Sequence, residues 1–155
     1  MTWVILVVGL VCSAWGGSSG DLDARDGFRD LVWGSAPAED MVEADRDGEL
    51  VAYTRPDDEL SIGEAVLESL SYFYWRDQLY TVYAVTDGLS SSRALLGNLK
   101  RRYGQGTRSI HHAEKTYWHG SRVVLSFGGD PESGKATAIF LYKPVHTARE
   151  QEEAQ

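Results

Sequence analysis

Residues 65–86, AVLESLSYFYWRDQLYTVYAVT, constrain the fold more than any other stretch of this chain: two apolar, ring-bearing runs flank a short polar break. Both runs are rich in Tyr, Val and Leu, and side chains of a strand alternate between its faces. With Arg76-Asp77-Gln78 between them, Ala65–Trp75 and 79–86 predict an antiparallel β-hairpin. The alternation sends Tyr72 and Tyr74 to one face and Phe73 and Trp75 to the other, with Tyr80 and Tyr83 across from them. An antiparallel sheet usually packs one face and leaves the second polar and solvated. Rings on both faces require a second cover: the chain's own loops, a subunit or a ligand. Tyr72, Phe73, Tyr74, Trp75, Tyr80 and Tyr83 are therefore the candidate ligand-binding residues.

Around the hairpin the chain reads as alternating helices and short strands. Residues 28–33 predict a strand, and Pro37, Glu39 and Asp40 the start of a brief helix that ends before the acidic loop 43–49. Leu50–Thr54 reads as a strand stopped by Arg55-Pro56-Asp57-Asp58. Residues 90–103 predict the best helix, with serines at its start, Leu95, Leu96, Leu99 and Tyr103 on one side, and Gly104 past its end. Strands follow at 110–118, 122–127 and 137–142, separated by His119-Gly120 and by the polar loop 128–135. Short turns make neighbouring strands antiparallel. The expected fold is α+β: a two-layer sandwich with an antiparallel sheet of about six to seven strands and two helices on one face.

The ends have a different character. Residues 1–16 form an apolar run followed by small residues, too short for the roughly 20 apolar residues of a membrane span and suited to a cleavable secretory signal. Cys12 could suggest lipidation, but Val11 stands where a small residue is wanted. Cleavage after Gly16 would leave no cysteine, which excludes thiolate catalysis and zinc–sulfur sites. Residues 17–26 read as a flexible linker, 27–146 as one α+β domain and 147–155 as a polar tail. All 23 acids and 15 bases lie beyond the apolar run, giving a net charge of −8 that repels nucleic acid and anionic membrane surfaces. The cluster Lys100-Arg101-Arg102 fits the C-terminal end of a helix, where cations complement the helix dipole.

Three stretches carry a resemblance: GFRDLVWGSAPAEDM, SYFYWRDQLYTVYAV, and EKTYW before VVLSF. Over most of residues 27–142 the chain resembles a set of small exported bacterial proteins with no assigned activity. That set shares an F-R-x-x-x-W-G opening, met here by Phe28, Arg29, Trp33 and Gly34. It also shares a Y-x-W aromatic segment, from which this chain departs: in SYFYW and EKTYW the Tyr stands directly before the Trp, at Tyr74-Trp75 and Tyr117-Trp118. The resemblance implies an exported domain and carries over no catalytic residue.

Motifs for chemistry are weak. Residues 111–119, HHAEKTYWH, hold three of the four histidines. On a strand His111 and His119 would stand about 26 Å apart at ~3.3 Å per residue, and only His112 and Glu114 are close neighbours on one face. Zinc wants three or four converging ligands, so no metal site is expected. Glu43-Ala44-Asp45-Arg46-Asp47-Gly48 echoes the start of a calcium loop, but Thr54 stands at the bidentate position. Ser90-Ser91-Ser92 lacks a nucleophile elbow and reads as helix caps, and 128–135 lacks the phosphate-loop frame.

The expected function is an exported, periplasmic or secreted, non-catalytic binding domain. It would engage a protein partner or small ligand through its aromatic sheet face, without a cofactor, without nucleic acid and without a membrane span after cleavage. An envelope hydrolase using a carboxylate and a histidine, such as Glu114 with His112, and a carbohydrate-binding module remain as alternatives.

Overall fold

The computed structural model describes residue 18, residues 21–111 and residues 115–155. The signal-like segment 1–16 lies outside the described residues, as do His112 and Glu114. In chain order the elements are α1 (Asp21–Ala24), β1 (Gly27–Phe28), β2 (Leu31–Val32), β3 (Val42–Asp47), β4 (Leu50–Thr54), β5 (Ser61–Ile62), β6 (Ala65–Trp75) and β7 (Gln78–Thr86). They continue with α2 (Leu89–Tyr103), β8 (Thr107–Arg108), β9 (Lys115–His119), β10 (Val123–Gly129), β11 (Ala136–Tyr142) and α3 (Lys143–Glu153). The main sheet runs β3-β4-β6-β7-β11-β10-β9-β8, with β5 paired to the start of β6, and every pairing is antiparallel.

The β6–β7 hairpin lies inside this sheet, as its sequence requires. Trp75 pairs with Gln78, so Arg76 and Asp77 alone make the turn, and both take positive φ, 49° and 58°. Two such residues give a turn whose twist matches the flanking strands. Ala65, Leu67, Leu70, Tyr72, Tyr74, Val82 and Ala84 form one face and are buried. Leu95 and Leu99, one helical turn apart on α2, are buried in the same core. The β1–β2 hairpin completes this cover, with Phe28 against Tyr72 and Phe140 and Trp33 stacked on Tyr142.

Several expectations need correction. The main sheet has nine strands rather than six or seven, and the helices do not share one face. α2 belongs to the Tyr72 face, whereas Val145 of α3 packs with Trp75 and Tyr80 and against Phe73 on the other. No helix follows Pro37: the described chain has turns there until β3 begins. The run read as an acidic loop is strand β3, exposed at every position, and its charge suits an unprotected sheet edge. Lys115 rather than Ile110 opens β9, and the polar tail is largely α3, whose Pro144 sits in the first turn. Ser91 and Ser92 do not cap α2. The Ser91 hydroxyl accepts the Val66 N–H, and Ser92 lies within bonding reach of Thr86 and the Gly88 and Gly134 carbonyls, tying strands to the helix.

Residues 21–26 of the segment read as linker join the fold. Leu22 of α1 is buried, and the Asp23 carboxylate accepts the backbone N–H groups of Ser121, Arg122 (2.8 Å) and Val123 (3.0 Å) and the Ser121 hydroxyl. Burial opposes ionisation of Asp23, but these donors outweigh it and hold its carboxyl below the usual range. A lowered folded-state pKa stabilises the fold above the unfolded carboxyl pKa, and that stability is lost as pH falls through the folded value.

Two predictions follow from the turn and the latch. Asp77→Gly should raise stability by roughly 0.5–1 kcal/mol, because glycine takes positive φ at little steric cost; a lowered urea midpoint would contradict the turn assignment. Asp23→Asn should cost about 1–2 kcal/mol near neutral pH. Urea titrations should show that deficit shrinking below pH ~4 as the native Asp23 protonates. A deficit independent of pH would mean that the carboxylate is not the latch.

Candidate functional site

The second face of the sheet divides into a covered and an open part, and α3 draws the line. At the covered end Trp75 and Tyr80 are 8% and 5% exposed beneath Val145. The Tyr80 ring stacks on His146, and its hydroxyl accepts a hydrogen bond from Arg149 at 2.9 Å. Strict alternation would have placed Tyr80 with Val82 in the main core. A bulge, which pairs Phe73 with Thr81 but Tyr74 with Leu79, leaves Tyr80 as the extra residue and turns it toward α3.

Beyond α3 the face is open. One row crosses six strands in register: Ser71, Tyr83, Ile139, Ser126, Tyr117 and Thr107. Phe73 lies beside this row with its ring centroid 4.8 Å from that of Tyr83, and Tyr83 is 37% exposed. Val85, Thr137 and Gly128 continue the face on the other side. The connection between β10 and β11 rises at its border and bounds a shallow concavity of about 540 Å³, lined in part by Tyr83, Ile139, Thr137 and Ser126.

Charged groups border this concavity and are mostly committed. Lys135 pairs with Glu68 at 2.7 Å. Asp130 accepts the Ser133 hydroxyl and the Glu132 N–H, and these bonds lower its carboxyl pKa. Lys115 takes part in none of the ion pairs among the described residues. The described groups around the open face can hold hydroxyls and apolar surface.

The six candidate rings are thus distributed over three settings. Tyr72 and Tyr74 are fully buried in the α2-side core, Trp75 and Tyr80 are buried under α3, and Tyr83 stands on the open face, with half-buried Phe73 between it and the α3 cluster. Burial and the Asp58 carboxylate raise the Tyr72 phenol well above its usual range, and burial pushes Tyr74 up to about 12. Open-face residues without rings, Ile139, Thr137 and Ser126, were missed; their period-two placement on β10 and β11 was the available signal.

The other motifs resolve into structural pairings. Glu43 holds Arg46 through two 2.7 Å contacts rather than joining a cation loop. His146 faces Glu150 at 3.3 Å on α3, and His119 stacks on Tyr117 at the sheet margin. Among the described residues no group of three or more His, Cys, Asp or Glu converges to hold a metal, and no helix is long and apolar enough to cross a membrane. The chain matches no protein-family model, no curated protein and no solved structure.

Truncation should separate the settings. Tyr74→Ala should cost about 3–5 kcal/mol as a fully buried ring, whereas Tyr83→Ala should cost under about 1 kcal/mol because its ring is partly solvated. Denaturant titration of both variants checks this, and equal losses would make the open face part of the core.

Proposed function

We propose that this is a non-catalytic binding domain, acting outside the cytoplasm, that seats a protein partner on the open part of its second sheet face. The observation that carries the reading is the absence of charge there. A quarter of the chain is charged, yet the residues paired in register on the open part of the face carry no charged side chain; Glu68, the extra residue of the β6 bulge, is charged and meets Lys135 at the border. The paired residues are Ser69, Ser71 and Phe73 on β6, Tyr83 and Val85 on β7, Thr137 and Ile139 on β11, and Val124, Ser126 and Gly128 on β10. The centre of a protein–protein interface is depleted of charge and enriched in rings, with charge displaced to its rim. Phe73 and Tyr83 supply the rings, serine and threonine hydroxyls supply directional bonds, and Lys115, Lys135, Asp130 and Glu68 mark a charged border. Export is supported by the apolar run and small residues of segment 1–16.

The test places a photo-crosslinking amino acid at position 139, in the open row, and at position 45, on the exposed edge strand β3. The protein is then expressed in its native envelope. A discrete adduct from position 139 and none from 45 is expected. The same partner should be retained at least about tenfold less by Tyr83→Ala, as expected for a central aromatic anchor, with the melting temperature little changed. Retention unaffected by Tyr83→Ala and Ile139→Glu would overturn the reading.

A further inference from the structure

A second concavity lies on the opposite side of the sheet, between α1, the last turn of α2, the β1–β2 hairpin and β5. It encloses about 310 Å³, the size of a fragment-like ligand site rather than a nucleotide site. Its floor is apolar: Phe28, Leu99 and Phe140 line it and are all buried. Its mouth carries charge of both signs, with two arginines beside Asp21 and Glu59. Arg25 and Arg102 line it with exposed side chains, and neither forms an ion pair among the described residues.

That arrangement is unusual in a chain carrying 23 acids against 15 bases. Of the neighbouring charges only Arg29 is neutralised by an ion pair, while Glu59 and Asp21 keep their charge. Arg29 is held by Asp58 at 3.0 Å and donates to the Ser61 carbonyl; Glu59 accepts the Ser61 hydroxyl, and Asp21 accepts the Ser18 N–H. Tyr103 also lines the mouth, and burial raises its phenol pKa, which keeps it a hydrogen-bond donor. Two guanidiniums outside any ion pair among the described residues, that of Arg102 lying 5.4 Å over the Tyr103 ring, and the Tyr103 phenol above a floor of rings suit an anion carried on an apolar body. Asp21 and Glu59 stand on the same rim and would repel a second negative charge.

We infer that this cleft binds a small monocarboxylate with a ring or short-chain body, its carboxylate on Arg25 and Arg102 and its body on Phe28, Leu99 and Phe140. The site is independent of the open sheet face. Phe140 and Ile139 are neighbours on β11 but point to opposite sides, one to each site.

Isothermal titration with 4-phenylbutyrate tests the inference on the whole chain, with 4-phenylbutanol and 4-phenylbutyl phosphate as comparison arms. Saturable one-to-one binding of the carboxylate is expected. Binding at least about tenfold weaker is expected for the alcohol, and for the carboxylate with the Arg25→Gln/Arg102→Gln double variant, through loss of charge-assisted hydrogen bonds. Both arginines are exposed, so the double variant should melt like the native chain, and melting curves check that. Tyr83→Ala should leave the titration unchanged, so failure of the partner reading and failure of this site are separable. Absence of saturable binding, equal affinity for the alcohol, tighter binding of the phosphate, or indifference to the double variant would overturn the assignment.

Discussion

The Asp58 carboxylate is the point on which the α2-side cover depends. It accepts the Tyr72 hydroxyl at 2.5 Å and pairs with Arg29 at 3.0 Å, while its side chain is only 7% exposed. Tyr72 sits in the middle of β6 with no exposed surface, so its phenol needs an internal acceptor. A carboxylate that far from water needs a cation, and Arg29 supplies it from the β1–β2 turn at a φ of 55°. A second group repeats the arrangement nearby: Arg55 binds Asp30 and Asp40, clamping the two ends of the same N-terminal segment to the end of β4. The sheet thus holds a long irregular segment over its core through the largely buried Arg29–Asp58 pair and the more exposed pairs of Arg55 with Asp30 and Asp40.

This accounts for the F-R-x-x-x-W-G opening in physical terms. Phe28 fills the core beside Tyr72 and Phe140, Arg29 neutralises Asp58, and Trp33 stacks on Tyr142. Gly34 takes φ 77°, which an ordinary residue adopts only with strain. Its N–H donates to the Leu79 carbonyl while the Leu79 N–H donates to Ser35, so the segment is stitched to the start of β7. Every residue of the motif serves the cover, which is why its chemistry looks structural rather than catalytic.

Much of the sheet was legible because period-two alternation is written densely in β6, β7, β10 and β11. α2 was legible from Leu95 and Leu99, its spaced apolar residues, and from Gly104 past its end. Elements with little apolar content were not. β3 buries nothing and owes its extension to pairing with β4, a non-local cause that no local propensity displays. α3 buries only Val145; its remaining hold is the His146 ring on Tyr80 and polar contacts of Arg149 to Tyr80 and Glu152 to Arg76. The Arg29–Asp58 pair spans 29 positions and Asp23 reaches nearly 100 along the chain, so neither could be paired by inspection. The six rings shared one composition signal, and only the third dimension separated core from surface.

The position of α3 is what leaves the second face half open. The helix has a single buried apolar side chain, enough to cover Trp75 and Tyr80 but not to extend over Tyr83 and Ile139. A longer apolar stripe on the same helix would have closed the face, since α2 closes the other with two leucines backed by Ala94 and Leu96. The bulge at Tyr80 acts in the same direction, concentrating the large rings under α3 and leaving mixed hydroxyl and aliphatic side chains beyond it. β11 then carries both consequences at once: Phe140 seals the core and floors the α2-side cleft, while Ile139, one residue earlier, stands in the open row. Because β11 is hydrogen-bonded on both edges, to β7 and to β10, it is held from both sides as a rigid partition. Ligands on the two faces would therefore meet one wall from opposite sides with no mobile element between them, which favours independent occupancy over coupling.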